Sequence, residues 1–264
     1  MKKCLRLLPL SLVLLLVLCC ATMPAALSKA PERQLYELKV YHLKNADQEA
    51  RVDKFLQQAY IPALHRAGVK KVGVFKPVEA KDERLIYVYV PYTSMSQFLQ
   101  LPQKLQQDKK YAADGKEYLE AAHNNAPFER IESTLLRAFE DMPQFEVPNL
   151  KAPKSERVYE LRSYEGPTEK IYQNKVQMFN QGGEVKLFKR LGFNAVFYAD
   201  VLVGSKMPNL MYMTTFENRA SRDEHWKAFG ADPEWKKLSS MEEYQNNVSH
   251  ADIIFLRPTE YSEI

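Results

Sequence analysis

The sequence predicts an α+β fold of two tandem ferredoxin-like units, each ordered strand, helix, strand, strand, helix, strand, with their antiparallel sheets apposed. Three observations carry this: strand and helix motifs return at a nearly constant offset, each half alternates between period-two and helical patterning, and a proline-spaced stretch separates the halves. Leu35-Tyr36-Glu37-Leu38-Lys39 returns as Val158-Tyr159-Glu160-Leu161-Arg162, an offset of 123. Ala67-Gly68-Val69 returns as Leu191-Gly192-Phe193 at 124, and Leu85-Ile86-Tyr87 as Leu210-Met211-Tyr212 at 125. Asp108 to Tyr111 matches Asp232 to Trp235 at 124, and Asn124-Asn125 matches Asn246-Asn247 at 122.

In the first half, residues 33–41 alternate as a strand. Residues 47–67 place Val52, Phe55, Leu56, Ala59 and Ala63 on one helical face, and residues 69–76 and 84–92 are strands rich in branched and aromatic residues. A second helical region spans residues 94–119, and a strand at 130–139 closes the unit. The second half repeats the order, with strands near 157–164, 194–203, 209–216 and 248–256 and helices over 169–191 and 219–239. Gly182-Gly183 predicts a break in the first of those helices, and Asp232-Pro233 a cap with proline at the first helical position. Residues 140–154 carry Pro143, Pro148 and Pro153 and read as a linker. The predicted units are therefore residues 29–139 and 155–264.

Residues 1–28 read as a signal peptide. Lys2, Lys3 and Arg6 precede an apolar run from Leu7 to Ala21, and Ala26-Leu27-Ser28 suits cleavage before Lys29. The expected address is secreted or periplasmic, with no stable membrane span after processing, since Pro9 interrupts a run already short for one. A lipid anchor at Cys19 or Cys20 is the weaker reading, because bulky Leu18 and Cys19 precede them. All three cysteines lie in this segment, so the processed chain would have no disulfide, thiolate nucleophile or cysteine metal site. Losing Lys2, Lys3 and Arg6 reduces the excess of basic over acidic residues from four to one, which excludes the concentrated basic field that a nucleic-acid partner needs.

Strand alternation sorts side chains into faces. Tyr159 and Leu161, Phe197 and Val201, and Met211 and Met213 suit packing under helices. This places Glu160, Arg162, Tyr198, Asp200, Tyr212 and Thr214 toward the opposite sheet, with Glu37, Lys39, Tyr87 and Tyr89 in the first half. Such a set suits a ligand pocket in which tyrosines supply walls and hydroxyls, Arg162 or Lys39 holds an anion, and Glu160 or Asp200 a cation. The competing reading is a network of internal ion pairs with no ligand.

The second half resembles the NIPSNAP family. The resemblance rests on Tyr159-Glu160-Leu161-Arg162-Ser163-Tyr164, on Ser221-Arg222-Asp223-Glu224-His225-Trp226-Lys227-Ala228-Phe229 followed by Asp232-Pro233-Glu234-Trp235, on Gly204 to Leu210, and on Leu256 to Ser262. The first half keeps the opening strand but has Tyr111 where the second has Trp235, and resembles a diverged copy. The family implies ferredoxin-like units and no settled reaction. By fold analogy it points to the dimeric α+β barrel type, which includes cofactor-free oxygenases and haem-binding enzymes.

No two of His42, His65, His123, His225 and His250 share a helix at spacing three or four or alternate in one strand, so no metal site is predicted. His225, at the edge of the Trp226 and Phe229 face, completes the pocket candidates and would be the ligand if haem bound. No cofactor is otherwise expected. Trp226, Phe229 and Trp235 read as core packing, and no phosphate loop or Gly-x-Ser-x-Gly elbow is present. The expected function is a non-catalytic module that binds a small ligand or a partner. An α+β barrel enzyme is the alternative, and homo-oligomer assembly through outer helices or edge strands a third reading.

Overall fold

The computed structural model describes residues 32–79 and 83–264. The expected signal peptide, its cleavage point and the three cysteines lie outside the described residues. Eight antiparallel strands form one closed barrel: β1 (Leu35–Leu43), β2 (Gly73–Pro77), β3 (Arg84–Tyr92), β4 (Arg130–Ala138), β5 (Val158–Glu165), β6 (Phe197–Val203), β7 (Asn209–Phe216) and β8 (His250–Pro258). Around the barrel they run β1-β3-β2-β8-β5-β7-β6-β4. Within each half the neighbours follow the same permutation, β4-β1-β3-β2 and β8-β5-β7-β6.

The expectation of apposed sheets needs an addition, because their edges are hydrogen-bonded together. β2 pairs with β8, placing Phe75 opposite Pro258, and β4 pairs with β6, placing Arg137 opposite Asp200. Closure satisfies the N–H and C=O groups that four edge strands would otherwise leave open. Assembly through an edge strand therefore has no free strand to use among the described residues. No helix among them is long and apolar enough to cross a membrane.

Helices cover the outside. In the first half α1 (Ala46–Phe55) is capped by Asn45, which accepts from the Gln48 N–H, and continues through a π-helical turn, Leu56–Tyr60, into α2 (Ile61–Arg66). Pro62 lacks the N–H that an α-helix would direct at the Gln58 carbonyl, which explains a widened turn just before it. Then come α3 (Met95–Gln107), α4 (Lys109–Asp114) and α5 (Lys116–Leu119). In the second half the Gly182-Gly183 break separates α6 (Glu169–Phe179) from α7 (Glu184–Arg190), with Gly183 at φ +89°. α8 (Arg219–Ala231) and α9 (Pro233–Ser239) meet at Asp232, whose carboxylate accepts from the Glu234 N–H at 2.9 Å. Residues 140–154 form neither helix nor strand, yet bury Met142 and Leu150 against the body.

In the second half the two faces of the sheet are the reverse of the expected ones; in the first half Glu37 and Lys39 are likewise reversed, whereas Tyr87 and Tyr89 face the other sheet as expected. Tyr159, Leu161, Phe197, Val201 and Met213 fill the barrel interior together with Tyr36, Leu38, Tyr87, Tyr89 and Leu256. Tyr198 and Tyr212 pack instead with Phe179, Phe188 and Phe229 beneath the helices. Period two shows which residues share a face but not which face meets the helices. A closed, dry interior takes the more apolar set.

The ladders also correct one register. Tyr41 lies opposite Ile86, and its counterpart Tyr164 lies opposite Leu210, so Ile86, not Leu85, matches Leu210. That one-residue slip puts Tyr87 and Tyr89 inside the barrel, on the face opposite Glu37 and Lys39.

Candidate functional site

Glu160 in β5 is fully buried between sheet and helices. Arg162, two residues along the same face, donates from Nε to Glu160 Oε1 at 2.6 Å. From α8, Arg222 donates from Nε to Oε2 at 2.6 Å and the Trp226 indole N–H donates to Oε2 at 3.0 Å. The Arg162 guanidinium lies 3.7 Å from the centre of the Trp226 ring and donates to the Tyr164 hydroxyl at 2.7 Å, which in turn meets the Tyr212 hydroxyl at 2.9 Å. Burial works against the Arg162 charge, but Tyr212, Tyr164 and Glu160 hold its pKa above the ordinary value. The carboxylate is fully matched by donors, and this half answers to the ion-pair network.

Of the predicted pocket residues the structure thus brings together Glu160, Arg162 and Tyr212, with Tyr198 stacked on Tyr212 at 5.6 Å. Asp200 lies elsewhere, bonded to Arg33 at 2.8 Å and to the Tyr172 hydroxyl at 3.0 Å. His225 turns away from Glu160. Its Nδ1 lies 2.6 Å from the Ser221 carbonyl, and its ring packs edge-on against Phe193 and Phe216. The five strand residues face the helices, His225 lies on α8 itself, and none of the six faces the barrel interior.

The corresponding place in the first half is open. Glu37 and Lys39 in β1 form the floor of a cavity of about 380 Å³, walled by Tyr41, Phe55, Tyr60, Tyr92, Phe98 and Tyr111, among others. Glu37 accepts from the Tyr92 hydroxyl at 2.8 Å and from Ser133 at 2.7 Å, and its carboxylate lies 3.0 Å from the Lys39 ammonium. Phe55 stacks on Tyr118 at 3.7 Å, closing the far wall. Tyr60 ends the π-helical turn, a feature common at functional sites. It is 5% exposed, and both it and Tyr111 line the cavity. Burial raises the Tyr60 pKa well above its ordinary value, and Tyr41, Glu37 and Tyr111 add to the effect; burial pushes Tyr111 up to about 12. Both remain O–H donors at neutral pH.

The difference has a local cause. α3 and α8 are each 13 residues long, begin after a capping side chain (Ser94, Asn218) and end at a capping aspartate (Asp108, Asp232). At the same position of the two helices α3 has Pro102 where α8 has Trp226, and Phe98 where α8 has Arg222. The first half therefore lacks both side chains that cover Glu160. Strand alternation groups Glu37 with Lys39 but places no cavity between them and the helices, and helical spacing marks Trp226 as packing alone. The constant offset of 124 between Asp108 and Asp232 was the signal that pairs Pro102 with Trp226.

One more cluster escaped spacing arguments. Glu165, His250 and Asp252 offer ligand atoms within 4.8 Å of one another, because β5 and β8 place Glu165 opposite His250. The Lys206 ammonium already pairs with Asp252, and His250 lies 3.1 Å from it.

Fold and site together define an eight-stranded α+β barrel with one filled and one open helix–sheet interface. Residues 159–263, the greater part of the second half, match the NIPSNAP family model. Similar solved structures include a protein from Lactobacillus acidophilus NCFM provisionally named a monooxygenase (TM-score 0.56, 11% identity, covering 86% of this chain and 94% of that one). A Fusobacterium nucleatum protein, also provisionally named a monooxygenase, has TM-score 0.56 at 7% identity over 86% and 93% of the two chains. An anthrone oxidase-like protein has TM-score 0.52 at 8% identity over 87% and 93%. At these identities the likeness is one of fold. No curated protein matches the chain.

Proposed function

We propose that this protein is an exported, non-catalytic binding module, built from two ferredoxin-like units, that holds one small molecule in the first-half cavity while its NIPSNAP-type second half is closed. The observation that supports this is the cavity over Glu37 and Lys39, set beside the filled position over Glu160. Aromatic walls provide apolar area, and Tyr60, Tyr111, Glu37 and Lys39 provide the few polar contacts that orient a ligand. The export reading rests on the order of Lys2, Lys3, Arg6, the apolar run and Ala26-Leu27-Ser28.

Saturation-transfer NMR with a panel of small aromatic and aliphatic metabolites tests the reading, repeated on Pro102→Trp, which places an indole in the cavity. Binding by one or more compounds that disappears in the variant supports it. Absence of binding, or binding indifferent to the variant, overturns it. The fold neighbours' names suggest an oxygen-using enzyme as the rival, for which oxygen uptake with a bound aromatic would decide.

A further inference from the structure

From the internal correspondence of the two halves we infer that the first-half cavity takes a planar, bicyclic aromatic molecule with a ring N–H, of the indole class. This rests on the binding reading above and narrows it to a ligand type. The second half displays such an occupant in covalent form. There the Trp226 indole donates its N–H to Glu160 at 3.0 Å and lies under the Arg162 guanidinium at 3.7 Å, with Phe188, Phe193 and Phe229 packed around it. In the first half the carboxylate is kept as Glu37 and the cation as Lys39, and the aromatic surround as Phe98, Tyr60 and Tyr111, but the indole is missing because Pro102 occupies its helical position. Glu37 would accept the ring N–H, a hydrogen bond strengthened by the acceptor's charge. The Lys39 ammonium would rest against the ring face, an attraction that aromatic quadrupoles offer to cations. Tyr60 and Tyr111, which line the same cavity, would offer their hydroxyls to a polar substituent on the ring.

Calorimetric titration of the purified chain with indole and with 1-methylindole, which has the same ring and no N–H, tests this directly. Indole should bind, and 1-methylindole about tenfold more weakly, the loss expected for one charge-assisted hydrogen bond. Glu37→Gln should lower indole affinity by a similar factor and erase the difference between the two ligands. Pro102→Trp should abolish saturable binding while leaving the melting temperature unchanged or higher. Equal affinities for the two ligands would overturn the inference, and this comparison on the unaltered chain does not depend on any variant folding. If other aromatic metabolites bind in the cavity and indole does not, the inference fails and the binding reading stands. If no small molecule binds, both fail.

Discussion

The two halves of the barrel carry the same floor and different roofs. Glu37 and Glu160 occupy the same place on β1 and β5, each two residues before a cation on the same face, yet Glu160 is closed over by Arg222 and Trp226 whereas Glu37 looks into a cavity. The floor is a product of strand alternation, which a duplicated sequence conserves automatically. The roof depends on two positions of one helix, and a change at these leaves the rest of the half intact. A doubled fold can thus keep one helix–sheet interface packed and leave the other open without altering its backbone plan.

Alkali should expose the contrast most strongly. Burial raises the pKa of Tyr41, Tyr60 and Tyr92 in the first half and of Tyr198 and Tyr212 in the second. For a group whose folded pKa is raised, the stabilisation is fully present below the unfolded value, about 10 for tyrosine, and is lost as pH rises from there toward the folded value. Denaturation curves should therefore be unaffected by tyrosine ionisation up to about pH 10 and fall steeply above it. Phenolate absorbance from Tyr111, held at about 12, should precede that from Tyr198 and Tyr212, which titrate only with unfolding. Ionisation of all tyrosines in one step at pH 10 would show that neither half excludes water.

Removing the two carboxylates should then separate the halves. Glu160→Ala strands the buried Arg162 and the largely buried Arg222 and should cost about 3–5 kcal/mol in urea denaturation. Glu37→Ala frees Lys39, which can reach solvent, and should cost only about 1–2 kcal/mol. Similar costs would mean the two interfaces are equally closed. At the roof, Trp226→Ala should destabilise by about 2–4 kcal/mol, because it removes both packing and a hydrogen bond. Pro102→Ala should stabilise by about 1–3 kcal/mol, since alanine restores a helical N–H and no packed side chain is lost.

Local features were legible in the sequence. Gly182-Gly183 and Asp232-Pro233 act through the backbone within a few residues, and both appear in the structure where the patterning puts them. The strand order follows from the repeat. What alternation could not decide was the face. The set of Glu160, Arg162 and Tyr212 is correctly grouped, but it faces helices, because which side of a strand is covered depends on chain closure far away in sequence. Matching Leu85 with Leu210 offsets this for Tyr87 and Tyr89: the one-residue slip and the inverted face cancel, so both lie inside the barrel as expected while Glu37 and Lys39, grouped with them, do not. The cavity is harder to read for another reason: it is made by side chains that are absent, and the missing indole shows only when the offset from Asp108 to Asp232 sets Pro102 against Trp226.

A crystal of the chain soaked with indole tests the central claim most directly. The account predicts flat density between Glu37, Lys39 and α3, with its ring nitrogen toward Glu37, and above Glu160 only the indole of Trp226. Phe98 and Pro102 lying in contact with the Glu37 carboxylate, with no volume left between helix and sheet, would contradict it.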